Sequence, residues 1–142
     1  MDLKLESKIF KKFPKIFKQR KLPMTQTCMC WGLECSDGWY NLIVLLCKHL
    51  QFMTDRNKYP QVEAIQVKEK FGTLRFYHTF ADSKKKYPAE KYEYMRGMID
   101  FAEYLSGSIC EQCGSMDNVS QTKGWIITLC GKCMKERNEK KQ

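Results

Sequence analysis

The chain is 142 residues long, short enough for one domain and long enough to bury roughly 70% of the surface that its unfolded form exposes. Its longest purely aliphatic run, Leu42 to Leu46, is far below the roughly 20 residues that cross a bilayer, which excludes a membrane-spanning helix. The net charge of +9 sits at the ends: residues 1–22 hold eight Lys/Arg against two acids, residues 132–142 hold five against two, and the middle is balanced.

Basic ends of this kind either meet phosphate or another anionic surface, or simply keep the termini solvated. Eight cysteines in a short chain can signify a disulfide framework. The basic N-terminus, however, lacks the apolar stretch of a secretory signal, so a reducing, cytoplasmic setting is the expectation.

From the N-terminus, Ile9, Phe10, Phe13, Ile16 and Phe17 recur at spacings of three and four among lysines, which predicts an amphipathic helix over residues 2–21, kinked or divided at Pro14. Its aromatic side is expected to dock on the protein's own core or a partner subunit. The following thiol-rich segment has no period. Cys28, Cys30 and Cys35, with Cys47 further on, are either buried thiols or ligands of a second metal, although their spacing matches no standard site.

Asp37 precedes a periodic run and is expected to cap a helix whose buried face is Trp39, Leu42, Ile43, Leu46, Leu50 and Met53. Cys47 and His49 lie two apart on that helix and point in different directions, so they do not form a nucleophile and base by local geometry. After the polar stretch from Thr54 to Pro60 the period falls to two. Residues 62–67 and 73–79 predict an antiparallel hairpin reversing near Gly72. Leu74 and Phe76 should share one face, leaving Lys68, Lys70, Arg75 and Tyr77 as a cation-and-aromatic surface for phosphates and bases, with Trp39 and Tyr40 as further stacking candidates.

A charged loop from Ala81 to Pro88 leads to a second long helix carrying Met95, Met98, Ile99, Ala102 and Leu105, with Gly107 at its stop. Cys110-Glu111-Gln112-Cys113 and Cys130-Gly131-Lys132-Cys133 then form two Cys-x-x-Cys pairs sixteen residues apart. That spacing places four thiolates around one tetrahedral ion, so one structural zinc on Cys110, Cys113, Cys130 and Cys133 is the expectation. The β-prone run Trp125 to Leu129 and a charged helix from the second pair onward predict a treble-clef-like module, in which the zinc fixes Trp125 and the basic tail against the preceding helix. The fold expected is therefore α+β: helices packed with a β-hairpin or small antiparallel sheet over residues 1–109, and a zinc module over 110–142, acting as one cooperative domain.

Three blocks, Trp31 to Tyr40, Val67 to Tyr77, and Cys110 to Gly114 with Gly124 to Cys130, together resemble a family of small zinc-binding proteins encoded by bacteriophages and bacteria. The resemblance covers roughly residues 23–133 and implies a phage-type accessory protein, a group that often includes inhibitors or sponges of host defence. It carries no catalytic residue across. With two histidines and no triad, phosphate loop or open metal position, the sequence favours a non-enzymatic binding protein for nucleic acid or a nucleotide phosphate ligand. Sequestration of a cyclic oligonucleotide signal, or direct inhibition of a host protein, are the alternatives.

Overall fold

In the computed structural model, which describes residues 1–81 and 84–140, the chain starts on a capped helix, α1 (Leu3–Lys12). The Asp2 carboxylate accepts from the backbone N–H of Lys4 at 2.9 Å and of Leu5 at 3.3 Å, satisfying donors that a first turn leaves free. Pro14 ends this helix instead of kinking a longer one, and a short 3-10 turn, Lys18–Lys21, follows. Ile9, Phe10, Phe13, Ile16 and Phe17 are all buried in the protein's own core. Phe17 links the segment inward, with ring centroids 5.0 Å from Phe10 and 6.3 Å from Phe76.

A second 3-10 turn, Met29–Trp31, leads to the short strand β1 (Leu33–Glu34), and a third, Asp37–Trp39, leads into α2 (Tyr40–Asn57). The expected buried face of α2 is present from Leu42 to Met53, with Trp39 fully buried just before it. Asp37 does not cap α2, which has no side-chain cap among the described residues. Its carboxylate instead accepts from the Asp2 backbone N–H at 2.6 Å, tying the two ends of this region together.

The central hairpin pairs β2 (Val62–Lys70) with β3 (Thr73–Phe80) through a two-residue turn at Phe71 and Gly72, whose φ values are 54° and 74°. Positive φ at both positions matches the twist of the flanking strands. A bulge between Ala64 and Gln66 changes which residues face inward, so Val62 and Ala64 are buried before it and Val67 after it. The sheet is mixed, not purely antiparallel as expected, because β1 adds to β2 in parallel register, Leu33 opposite Val67.

The open edge of β3 is covered by α3 (Ala89–Ser106), which Pro88 precedes. Ser106 Oγ accepts from the Leu74 N–H at 2.8 Å, and Glu103 Oε1 accepts from the Phe76 N–H at 2.6 Å. Side chains thus satisfy donors that a bare edge would offer to another chain. Met95, Ile99 and Ala102 supply the buried face of α3. Asp82 and Ser83 of the predicted charged loop, and Lys141 and Gln142 of the basic tail, lie outside the described residues.

Candidate metal centre and ligand surfaces

The C-terminal segment is a knuckle at Cys110 to Gly114, a short antiparallel pair of β4 (Ser120–Gln121) and β5 (Thr128–Leu129), and a final helix α4 (Gly131–Glu139). This follows the layout expected of a treble-clef-like module. Gly114, at φ 79°, donates its N–H to Cys110 O at 2.8 Å and closes the knuckle, while Cys130 leads into α4 and Cys133 lies in its first turn. The four sulfurs lie within 4.8 Å of one another, with Cys113 and Cys130 Sγ atoms 3.6 Å apart. Zinc–sulfur bonds of about 2.3 Å in a tetrahedron place sulfurs about 3.8 Å apart, so the group fits such an ion and is far too wide for a disulfide.

Cys110, Cys130 and Cys133 are buried with Leu129, and Cys113 is exposed. The backbone N–H of Cys133 is the main influence drawing the Cys130 thiol down to about 7, and burial pushes Cys133 up. Among the described residues this is the one group of clustered metal-ligand side chains. Cys28, Cys30, Cys35 and Cys47 do not join into a second one. Burial drives the Cys35 thiol up to about 12 and raises Cys47 as well, as expected of inert thiols.

The module is interlocked with the core. Gly38 donates its N–H to Glu111 O at 2.7 Å, the Ser36 N–H reaches Glu111 Oε1 at 3.1 Å, and the Trp39 indole N–H reaches Ile109 O at 3.1 Å. A Cβ on Gly38 would overlap the Cys110 carbonyl oxygen and lie 2.5 Å from that of Glu111, so the two segments meet backbone to backbone. On the other side, Thr128 Oγ1 donates to Gly72 O in the hairpin turn, and Gly72 donates to Glu69 Oε1 at 2.6 Å. The Asp37-Gly38-Trp39 turn, the Phe71-Gly72 turn and the first cysteine knuckle therefore converge on one junction. Burial raises the Glu111 carboxyl there, and its Oε2 has no hydrogen-bond partner among the described residues.

The predicted ligand residues do not all form one surface. Trp39 is fully buried and cannot stack on a ligand, and Tyr40 is half-buried against the core. Lys68, Lys70, Arg75 and Tyr77 share the outer sheet face, yet each is engaged within the protein. Lys68 lies over the Tyr77 ring at 5.7 Å, Lys70 over Phe71 at 5.4 Å, and Arg75 bonds Thr73 Oγ1 at 2.7 Å and lies 3.9 Å from Glu103. Trp125 is 75% exposed and is not held against the preceding helix, contrary to expectation.

A different surface gathers the cations. Lys11, Lys18, Arg20 and Lys21 line a cleft of about 390 Å³ between α1 and the Lys18–Lys21 turn, floored by Phe10, Pro14 and Phe17. Arg20 lies 4.6 Å from the Phe10 ring centroid. The basic N-terminal composition announced these charges, but only the reversal after Pro14 makes them face one another.

Comparison with protein-family models, with curated proteins and with solved structures found no match for the chain.

Proposed function

We propose that the protein is a non-enzymatic, zinc-containing binding protein whose ligand is nucleic acid, held by its phosphates on the cleft between α1 and the Lys18–Lys21 turn. The observation that carries this reading is the convergence of Lys11, Lys18, Arg20 and Lys21 on one hollow with no carboxylate among its described lining residues, Lys18 also lying 3.5 Å from Glu63 Oε1. Phosphate contacts from such cations supply most sequence-independent affinity for nucleic acid. The ion is zinc, and its role is structural: four thiolates fill a tetrahedron and leave no position for substrate. Reduced thiols suit a cytoplasmic setting.

Fluorescence anisotropy with labelled single- and double-stranded DNA and RNA at low salt tests the reading. Lys11→Gln/Lys21→Gln should weaken binding to every sequence alike, whereas Lys68→Gln/Lys70→Gln on the hairpin should leave it nearly unchanged. Failure of all four nucleic acids to bind, or indifference to the cleft substitutions, would defeat it.

A further inference from the structure

Trp31 is 62% exposed, while the backbone on both sides of it is tied to the rest of the protein. The preceding Met29 is fully buried, and its N–H donates to Thr27 Oγ1 at 3.1 Å. The following Gly32, at φ 75°, packs so tightly on the Glu6 carboxylate that a Cβ would lie 2.8 Å from Glu6 Cδ. Leu33 then donates its N–H to Glu6 Oε2 at 2.6 Å. The turn is locked on both sides of an indole that folding leaves in solvent.

That indole borders a second hollow of about 300 Å³, which shares Phe10, Arg20 and Lys21 with the cationic cleft and is also lined by Glu6, whose carboxylate is held by the Leu33 N–H. An exposed aromatic platform beside a cluster of cations is the arrangement that holds single strands, because base faces are free to stack only when they are not enclosed in a duplex. We infer that the nucleic acid is single-stranded, with one unstacked base lying on Trp31 and the adjoining phosphates on Lys11, Lys18, Arg20 and Lys21. This rests on the nucleic-acid reading above and adds the strand class and the base contact. The contacts of Met29 and Gly32 fix the backbone that carries the indole, so the freedom lost on binding is confined to its own two side-chain torsions.

The test uses the full chain with a labelled oligothymidylate of about 12 nucleotides, a length within the range of small single-strand modules. A duplex of similar length and base-free inorganic polyphosphate are run beside it. The single strand should bind more tightly than the duplex. Trp31→Ala should weaken single-strand binding roughly 5- to 150-fold, the effect of removing one stacked base, with little change for duplex or polyphosphate, and Trp31→Phe should recover most of it.

Ultraviolet crosslinking of a 5-iodouracil-substituted strand to the unaltered protein, mapped by peptide mass spectrometry, should place the adduct on Trp31. The single-strand inference is overturned, and the nucleic-acid reading stands, if Trp31→Ala affects all three ligands alike or none while Lys11→Gln/Lys21→Gln still weakens them. An adduct on Trp125 or Tyr77 also overturns it. Absence of nucleic-acid binding at low salt overturns both.

Discussion

Gly38→Ala probes the junction between the cysteine knuckle and the core. The new methyl group would overlap the Cys110 carbonyl oxygen and approach that of Glu111 to 2.5 Å, and neither atom belongs to a side chain that can swing away. The knuckle must therefore retreat, stretching the Gly38 N–H to Glu111 O bond of 2.7 Å. Overpacking costs about 1–3 kcal/mol and loss of one backbone hydrogen bond about 0.5–1.5 kcal/mol, so a destabilisation of about 2–4 kcal/mol is expected. At about 4 °C per kcal/mol for a chain of this size, Tm should fall by roughly 8–16 °C. The assay is thermal unfolding of the zinc-loaded protein, followed by circular dichroism and by a chromogenic chelator that reports metal release. Unfolding and release should coincide, both shifted down. Gly97→Ala is the control, since beyond its chain neighbours and its own helix backbone none of the described residues lies within 4 Å of its would-be Cβ on α3, and a gain of about 0.5–1 kcal/mol is expected there. A Gly38→Ala protein with unaltered Tm would refute the close-approach argument, and metal release well before core unfolding would refute the coupling.

Cys113→Ser should reduce zinc occupancy, measured by native mass spectrometry, and destabilise the fold by more than about 4 kcal/mol, the scale set by loss of a structural metal. If stability is intact while nucleic-acid binding is abolished, the zinc is not merely structural. Ser106→Ala removes the acceptor of the Leu74 N–H and should cost about 1–3 kcal/mol in urea denaturation, because that buried donor is left unpaired. Burial lowers the His78 pKa below its ordinary value, against a weaker opposing effect of the Phe76 carbonyl. The unfolded chain therefore binds the proton more readily, and this contribution to stability is full above the unfolded value of about 6.5 and is lost as pH falls below it. His78→Gln should flatten the stability profile below about pH 6.5, and an unchanged slope would assign the titration to another group.

The features legible in the sequence were those encoded by neighbours along the chain. The two Cys-x-x-Cys pairs bring their own turns, Phe71-Gly72 brings its own reversal, and the spacing from Leu42 to Met53 brings its own buried face. What escaped depended on distant partners. The two-residue strand β1 is set by parallel pairing with residues more than thirty positions away, which no local period announces. Asp37 looks like a helix cap by its position, but the Asp2 N–H competes for its carboxylate. Trp39 reads equally as core or as a stacking residue until its indole is found bonded to Ile109 O. The cation cleft needs α1 and the Lys18–Lys21 turn folded back around Pro14, so charge along the chain indicated its sign and not its shape.

The most direct test of a phosphate-binding cleft is the slope of log K against log salt for a single-stranded oligonucleotide. Three or four cation–phosphate pairs give a slope of about −2 to −3, and Lys11→Gln/Lys21→Gln should make it shallower by about 1.4, roughly 0.7 for each lysine neutralised. A salt-independent affinity, or a slope that the double substitution leaves unchanged, would contradict the assignment of phosphate binding to this cleft.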